Sequence, residues 1–372
     1  MKPQNDPQDD FRRAFDADVP PEINLPGDGL VAVVLAYNEA LRFPHFLDFH
    51  RSIGVSHFLV VDNASNDGSA GFLDAQNDVT RFPTRQPYKA FKSAWRCILA
   101  STYLNRRWVY FPDVDELLVY PGWPERSIND LLGHWSDLGV EGVFATMVDM
   151  YPQGPLKNLH YKSGQPFLEA CPFFDSEGYQ LLPLKRKTVR RYPVPASQVY
   201  GGPRERLFPM SSRRKRTTFD CWLLEHFFSL DHPVSPSQRP GFVRYLASRF
   251  VRNTFPSMRP IMSKIPLLKW PGDIRFSGGV HSLTGPVNLA QDWCTLLHFK
   301  YLDDFVSRTQ EAVKRAQHVS GARHYRHYDA HKDNLMETGA VYTGSRRFRG
   351  LADLEEIGLM RVSESVRNLL SE

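Results

Sequence analysis

Three carboxylates stand within four residues in the segment Asp113-Val114-Asp115-Glu116. In an extended segment, residues two apart point to the same side, so Asp113 and Asp115 could offer their oxygens to one ligand. Hard oxygen ligands in an open position suit Mn²⁺ or Mg²⁺. Such an ion neutralises the charge that builds up on a departing diphosphate. The cluster therefore predicts a metal site for a diphosphate, although paired acids after a strand are more often solvated loop residues.

Buried strands and helices alternate along the first half of the chain and give this cluster a location. Apolar runs predict strands at residues 30–37, 58–61, 79–82 and 108–111, and helical patterns lie between them, the longest over residues 88–105. This alternation predicts an α/β fold with a mostly parallel sheet and helices on both faces. In a sheet of order 3-2-1-4, the first and fourth strands are neighbours, and ligands bind beyond their carboxyl ends.

Two polar segments that follow these strands, Tyr37-Asn38-Glu39 and the acidic cluster, are thus expected at the same edge of the sheet. We call this edge the mouth of the site. Neither G-x-G-x-x-G nor G-x-x-x-x-G-K-[ST] follows the first strand, so the usual glycine cradles for phosphates are absent. A bridging cation is the remaining way to hold a diphosphate there. Asp62, at the exit of the second strand, has two interpretations. It could cap the following loop and helix, or accept a hydrogen bond from a uracil ring.

Three segments, in this order, resemble glycosyltransferase family 2 and its GT-A, Rossmann-like fold: Val33-Val-Leu-Ala-Tyr-Asn-Glu39, Val60-Val-Asp-Asn-Ala-Ser-Asn-Asp-Gly-Ser69 and Phe111-Pro-Asp-Val-Asp-Glu-Leu117. Four later segments look like a divergent bacterial branch of that family, with a distant likeness to family 92 glycosyltransferases: Tyr200-Gly-Gly-Pro-Arg-Glu-Arg-Leu-Phe208, Lys264-Ile-Pro-Leu-Leu-Lys-Trp270, Ser277-Gly-Gly-Val-His-Ser282 and Leu296-Leu-His-Phe-Lys300.

The resemblance implies an inverting, metal-dependent transfer of a sugar from a nucleotide sugar, usually UDP-linked, in the synthesis of a surface polysaccharide or glycolipid. The expected acceptor is a glycan or a lipid-linked glycan. By this likeness, Asp115 is the main metal ligand, Asp113 contacts the ribose or the metal, and Glu116 supports the loop. His298 completes the metal site, with His281 as the second choice. The implied donor-binding positions are Ala36, Tyr37, Glu39, Asp62, Asp113, Val114 and Asp115.

An inverting transfer requires a carboxylate that removes the proton of the acceptor hydroxyl. Glu205 lies at a suitable distance along the chain, and the arginines on either side would keep it ionised. The alternative is that Glu205 only pairs with Arg204 or Arg206. Other carboxylates compete for the role: Asp175, Asp220 and Glu225.

The chain is expected to consist of a flexible tail over residues 1–28, a GT-A domain over residues 29–305 and a helical appendage over residues 306–372. The donor half of the domain is residues 29–124 and the acceptor half is residues 125–305. The four cysteines form no C-x-x-C pair, which favours reduced thiols in a cytoplasmic protein over a disulfide framework or a structural zinc site. Neither a signal peptide nor an apolar run of membrane-spanning length is present in the sequence.

Positive charge is concentrated between residues 185 and 216, where eleven Lys or Arg residues accompany a single acid. This segment is either a solvated face or a surface that binds anions. Residues 241–255 interleave arginines with apolar residues, so this helix either rests on an anionic membrane at its inner face or packs on its own domain.

Two other functions compete with glycosyl transfer. A sugar-nucleotide pyrophosphorylase would need a glycine-rich, arginine-bearing loop directly after the first strand, and Asn38-Glu39-Ala40 does not provide it. A non-catalytic protein that binds nucleic acid or another anion would leave the acidic mouth unexplained, because its carboxylates would repel phosphates. Nucleic acid is therefore not an expected partner.

Overall fold

A computed structural model describes residues 7–15, 17–27, 29–232, 234–256, 258–277, 279–316 and 319–372. Residues 1–6, 16 and 28 of the expected tail, and Gly278 of the third of the four later segments, lie outside the described residues.

An eight-stranded sheet of order β3-β2-β1-β4-β10-β6-β13-β5 forms the centre of the molecule. Its strands are β1 (Leu30–Ala36), β2 (Val55–Asp62), β3 (Val79–Pro83), β4 (Trp108–Tyr110), β5 (Glu116–Val119), β6 (Gly142–Asp149), β10 (Ser263–Lys269) and β13 (Leu289–His298). The first four strands in this order are mutually parallel, and β6 is parallel to β13. The predicted α/β class and the predicted order 3-2-1-4 are both confirmed.

Three two-stranded sheets lie outside this centre. They pair β7 (Phe173–Asp175) with β14 (Ser345–Arg347), β8 (Gln180–Pro183) with β9 (Ser197–Tyr200), and β11 (Phe276–Ser277) with β12 (Ser282–Leu283).

Helices flank the sheet, and short 3₁₀ turns occur at Leu156–Asn158 and Arg252–Thr254. In the first half they are α1 (Pro7–Ala14), α2 (Phe43–Ser52), α3 (Ser69–Asp74), α4 (Tyr88–Tyr103), α5 (Ile128–Asp137) and α6 (Phe167–Ala170). The middle segment adds α7 (Arg186–Arg191), α8 (Pro203–Leu207), α9 (Thr218–Phe228) and α10 (Phe242–Val251). The chain ends with α11 (Phe305–Arg315), α12 (Val319–Ala330), α13 (Asp333–Glu337), α14 (Leu351–Glu356) and α15 (Glu364–Ser371).

Strand direction gathers the polar residues at one edge of the sheet. The carboxyl ends of β1, β4, β6 and β13 point toward this edge, because these strands are parallel. Strands β10 and β5 run in the opposite direction, so their first residues lie at the same edge. Lys264 near the start of β10 and Glu116 at the start of β5 therefore join the exits of four other strands.

The N-terminal segment differs from the flexible tail expected for residues 1–28. Helix α1 buries Phe11 and Ala14, and Phe15 directly after it is also buried. The carbonyl of Ala14 accepts hydrogen bonds from Trp95 Nε1 at 2.8 Å and Thr84 Oγ1 at 2.9 Å. Two aromatic residues one helical turn apart are enough to fix the segment on the sheet layer. The apolar pattern of this segment is short and lies among charged residues, so the sequence analysis did not predict a packed helix there.

The C-terminal segment is helical, as expected, but it belongs to the same core. Strand β14 pairs with β7, and Leu354, Leu359 and Met360 are buried with the residues of the central sheet. The carbonyl of Leu359 accepts a hydrogen bond from Thr146 Oγ1 at 2.6 Å. Among the described residues, none of the helices combines the length and the apolar composition needed to cross a bilayer.

The packing of α1 predicts that Phe11→Ala lowers the free energy of unfolding by about 3 kcal/mol, because the substitution leaves a cavity against α4 and β3. Urea denaturation of the full-length protein measures the change. The matched control is Arg12→Ala, whose side chain is more than half exposed on the same helix. Equal stability of the two variants would contradict a packed N-terminal helix.

Candidate active site

A cavity of about 1550 Å³ opens at the edge of the sheet where the polar strand ends meet. It brings together seven of the nine residues predicted for the site: Ala36, Tyr37, Glu39, Asp113, Val114, Asp115 and His298. Asp62 and Glu205 do not line this cavity.

The turn after β1 is held in place by the loop after β2. Asn38 has a φ of +54°, and its side chain exchanges hydrogen bonds with Asn66, donating to Oδ1 at 3.0 Å and accepting from the backbone N–H at 2.8 Å. The backbone N–H groups of Asn38 and Glu39 donate to the hydroxyls of Ser65 and Ser69. The polar residues 63–69 therefore fix the position of Tyr37 and Glu39 at the cavity wall.

Asp62 bonds the loop that follows it, as one of its two interpretations expected, but the N-cap residue of α3 is Gly68 and has no side-chain cap. Oδ1 of Asp62 accepts a hydrogen bond from the backbone N–H of Ser65 at 3.0 Å, and Oδ2 accepts one from Arg81 at 3.2 Å. The side chain is buried. Its observed contacts stabilise the loop that supports the β1 turn.

Two cations hold Asp113. Arg96 of α4 donates to Oδ1 at 2.8 Å, and Lys264 of β10 donates to Oδ2 at 2.5 Å. The same ammonium of Lys264 donates to Glu116 Oε1 at 2.5 Å, while Glu116 Oε2 accepts from the backbone N–H of Asp113. Burial alone would raise the pKa of Asp113, but Lys264 and Arg96 hold it well below the usual range. Glu116 thus supports the loop, as predicted for it.

Asp115 belongs to a different network of charged side chains, which also contains His298, Asp149 and Arg204. Oδ2 of Asp115 lies 3.3 Å from His298 Nε2, and His298 Nδ1 lies 2.5 Å from Asp149 Oδ1. Arg204 Nε donates to the other oxygen of Asp149 at 2.7 Å. The register of β13 causes this arrangement, because it pairs His298 with Glu116 on one side and with Asp149 on the other.

The charges around His298 determine its pKa and that of Asp149. Burial would lower the pKa of His298, but Asp115 and Asp149 on its two nitrogens outweigh burial and raise the pKa to about 9. Burial would raise the pKa of Asp149, yet Arg204 and His298 lower it to about 2. Nδ1 of His298 therefore donates to Asp149, and Nε2 faces Asp115.

A divalent cation at this site would replace the proton on Nε2 of His298, because a histidine ligand must be deprotonated at the nitrogen that binds the metal. A histidine whose Nδ1 is held by a carboxylate presents Nε2 to a metal, which is the usual carboxylate–histidine–metal arrangement. Asp115 supplies a hard oxygen beside it. No group of three or more His, Cys, Asp or Glu side chains suited to a metal occurs among the described residues. A cation at this site would have Asp115 and His298 as its protein ligands, because both oxygens of Asp113 are engaged by Lys264 and Arg96.

Two half-buried lysines line the cavity with no carboxylate within salt-bridge distance in the described part of the chain. They are Lys92 of α4 and Lys300, two residues after His298. Lys300 lies over the ring of Tyr325, 4.6 Å from its centroid. Burial lowers the pKa of both amines. A partly buried cation without a counter-ion is costly, so the two lysines favour an anionic ligand in this cavity.

One face of α11 covers the end of β1, a contact that the sequence analysis did not predict. Arg308 forms a bidentate pair with Glu39, in which one of the two contacts measures 2.6 Å. Arg315 lies 3.4 Å from the centroid of the Tyr37 ring, and the hydroxyl of Tyr37 donates to Glu311 at 3.3 Å. These residues recur at spacings of three and four, a pattern that is usually solvent-exposed on a helix.

Glu205 lies in a smaller cavity of about 280 Å³ that adjoins the large one. Its two oxygens accept hydrogen bonds from Arg259 at 2.6 and 2.8 Å, so its partner is neither Arg204 nor Arg206. Arg206 pairs instead with Asp175.

The other candidates for the base and for the metal ligand lie in different environments. Asp220 is buried in the N-terminal cap of α9, and Glu225 is exposed on that helix. His281, the second choice for the metal, lines the large cavity and bonds through Nδ1 to the carbonyl of Ser263 at 2.7 Å. Burial lowers its pKa to about 4.

Comparison with known proteins adds little. No family model and no curated protein match this chain. Among solved structures, the chain is similar to the inositol-1-phosphate CTP transferase from T. maritima, at 12% identity and a TM-score of 0.23. The match covers 42% of this chain and 60% of that one, less than two thirds of its length. A TM-score at this level carries no argument about fold or activity, so the resemblance to family 2 stays a hypothesis based on its motifs.

Loss of Lys264 should destabilise the acidic loop more than loss of an exposed ion pair. We predict that Lys264→Met lowers the free energy of unfolding by about 3 kcal/mol, because it leaves Glu116 buried without a cation. Lys264→Met with Glu116→Gln should regain part of that loss, since the buried charge is then removed. Lys157→Met, which breaks an exposed pair with Glu337, serves as the control and should cost less than about 1 kcal/mol. Equal losses for the two single variants in urea denaturation would contradict this role of Lys264.

Proposed function

We propose that this protein is a divalent-metal-dependent glycosyltransferase, and that the large cavity binds a nucleotide sugar, UDP-linked, at the edge of the sheet. One observation carries the proposal. The pair of Asp115 and His298 faces a cavity that also contains Lys92 and Lys300, two lysines that form no salt bridge with any described carboxylate. A carboxylate–histidine pair for a cation beside amines for an anion is the chemistry that a metal-bound diphosphate requires.

In this proposal Asp115 and His298 hold Mn²⁺ or Mg²⁺, which when bound neutralises charge on the leaving nucleoside diphosphate. Asp149 orients His298 through Nδ1, and Arg204 keeps Asp149 ionised. Lys92 and Lys300 bind the diphosphate oxygens by charge-assisted hydrogen bonds. Each carboxylate oxygen can accept more than one hydrogen bond, so Asp113 can bind a ribose hydroxyl while Lys264 and Arg96 hold it.

The nucleobase is assigned to the β1 exit. Tyr37 offers an aromatic ring there, and Arg315 already stacks on that ring. A planar guanidinium and an aromatic ring both suit the flat face of a base. Ala36, Glu39 and Val114 form the surrounding wall of the cavity.

The acceptor approaches from the side of the cavity formed by residues 182–185, 211–213 and 258–261. Transfer breaks the bond between the sugar carbon and the phosphate oxygen, forms a bond to the acceptor oxygen and releases the hydroxyl proton to a carboxylate. Glu205 is the proposed base, and it lines the small cavity, which shares Arg204 and Ser212 with the large one. Arg259 pairs with both oxygens of Glu205 and orients the carboxylate.

Donor binding tests the proposal. Calorimetric titration with UDP should show tighter binding in the presence of Mn²⁺, and Asp115→Asn should weaken that binding at least about tenfold, because even an outer-shell change costs a metal site this much. The control is Asp74→Asn, which alters an exposed ion pair with Arg81. Metal-independent binding, or unchanged binding in Asp115→Asn, would remove the basis for the donor site.

The same titration tests the proposed contact between Lys300 and the diphosphate separately from the metal site. Lys300→Met should weaken UDP binding about tenfold, the scale of a hydrogen bond to a charged group, and should leave uridine binding unchanged. Lys162→Met, an exposed lysine outside the cavity, provides the comparison. An equal loss for UDP and uridine would instead indicate that Lys300 shapes the pocket without contacting the diphosphate.

The base is tested by Glu205→Gln. We expect this variant to bind UDP as the wild type does and to transfer sugar at least about a hundredfold more slowly, since general-base catalysis contributes on this scale. Turnover at saturating donor measures the effect, with the exposed Glu169→Gln as control. Full turnover in Glu205→Gln would assign the base to another carboxylate.

A further inference from the structure

Helices α9 and α10 pack together and expose large apolar side chains on their outer faces. The exposed fractions are 70% for Phe242, 59% for Phe250, 54% for Phe219 and 51% for Trp222. Val243 and Leu246 belong to the same exposed face of α10. We call these six residues the apolar patch. Scattered apolar residues on a surface are ordinary, but contiguous ones mark an interaction site.

The apolar patch is contiguous across the two helices. The ring of Phe219 meets that of Phe250 edge-on with centroids 5.8 Å apart, and it stacks on Trp222 at 5.7 Å. The opposite face of α10 is buried against the protein through Ala247, Ser248 and Val251. Helix α10 therefore already packs on its own domain through one face, and the exposed apolar side chains form a second apolar face.

Positive charge borders the apolar patch. Arg249 is exposed within α10, and Arg214 donates to the carbonyl of Phe250 at 3.3 Å, which places the run of residues 213–216 beside it. Arg186 of α7 lies 4.4 Å from the ring centroid of Tyr245, which brings the basic helix α7 to the other side. Among the described residues between 185 and 251, the exposed acids are Glu225 and Asp231.

We propose that the apolar patch docks on the surface of a bilayer that contains anionic phospholipid. Aromatic and aliphatic side chains enter the boundary between head groups and acyl chains, while the surrounding Arg and Lys side chains meet the phosphates. Charge decides between this occupant and a second copy of the chain. Two copies that met through this face would place like charges against each other, whereas an anionic bilayer complements them.

The same helix also lines the large cavity. Ser248 of α10, Arg252 and Phe255 after it, and Lys185 and Thr188 from the α7 region are all cavity residues. Docking through the outer face of α10 therefore brings the acceptor side of the cavity to the bilayer. If the proposed function holds, the acceptor is a membrane amphiphile whose anionic head group enters among Lys185, Arg213 and Arg252. Membrane docking itself does not depend on that function.

Trp222 offers a direct readout, because it is the exposed one of the seven tryptophans. The full-length protein is mixed with vesicles of phosphatidylcholine alone or of phosphatidylcholine with phosphatidylglycerol. Sedimentation measures binding, and emission measures insertion. We expect binding and a blue shift with the anionic vesicles, weaker binding in high salt, and no blue shift in Trp222→Phe.

The variant Phe242→Ser/Leu246→Ser should bind anionic vesicles at least about tenfold more weakly, because two exposed side chains of the patch are removed without touching the core. Leu138→Ser, with 55% of its side chain exposed on another helix end, is the matched control and should bind as the wild type does. Equal binding by the double variant, absence of binding to anionic vesicles, or formation of a dimer through this face in place of vesicle binding would each overturn the proposal.

The two proposals fail separately. UDP binding should be the same in Phe242→Ser/Leu246→Ser and in the wild type, which also verifies that the double variant is folded. Loss of metal-dependent UDP binding in the wild type would overturn the proposed function and leave the vesicle result standing.

Discussion

The buried ammonium of Lys264 bonds two carboxylates, the buried Glu116 and Asp113 at the cavity wall. Charges buried in this way are tolerated only when they are paired, and removal of one partner leaves the others at a large cost. The loop from residue 113 to 116 is therefore fixed by an ion cluster, with Arg96 as the second cation. This cluster sets the position of Asp115 between Asp113 and Glu116.

Because the loop is fixed, Asp115 projects toward His298 at the end of β13. The sheet supplies the remaining members through its register, which aligns His298 with Glu116 and with Asp149. The three carboxylates of the acidic cluster thus have three different surroundings. Asp113 is neutralised by cations, Glu116 supports the backbone, and Asp115 shares a histidine that a carboxylate orients. Only Asp115 has the surroundings expected of a metal ligand.

Much of the cavity wall formed by the ends of β1 and β4 could be predicted from the sequence. Local periodicity and strand order were enough to place Tyr37, Glu39 and the acidic cluster at one edge, because parallel strands end on the same side. The contribution of His298 came from the resemblance to a family, and the structure places it next to Asp115. The loop role of Asp62 was one of two interpretations, and the hydrogen bond to Ser65 corresponds to it.

The rest depends on long-range pairing, which a local pattern does not contain. Lys264 reaches Asp113 because β10 is inserted antiparallel between β4 and β6, and Asp149 reaches His298 through the pairing of β6 with β13. The arginines of α11 were concealed because charged residues at helical spacing are usually solvated. Phe11 and Phe15 were hidden in a charged segment, and the partner of Glu205 lies 54 residues away at Arg259.

The most direct test of the central claim is the identity of the small product. The protein is incubated with Mn²⁺ and a panel of nucleotide sugars, and separately with sugar 1-phosphates and nucleoside triphosphates, and the products are identified by mass spectrometry. A glycosyltransferase site at Asp115 and His298 predicts release of a nucleoside diphosphate from one nucleotide sugar, with the sugar moved to an acceptor or to water. Formation of pyrophosphate in the second incubation, without any nucleoside diphosphate in the first, would contradict the account and indicate a nucleotidyltransferase.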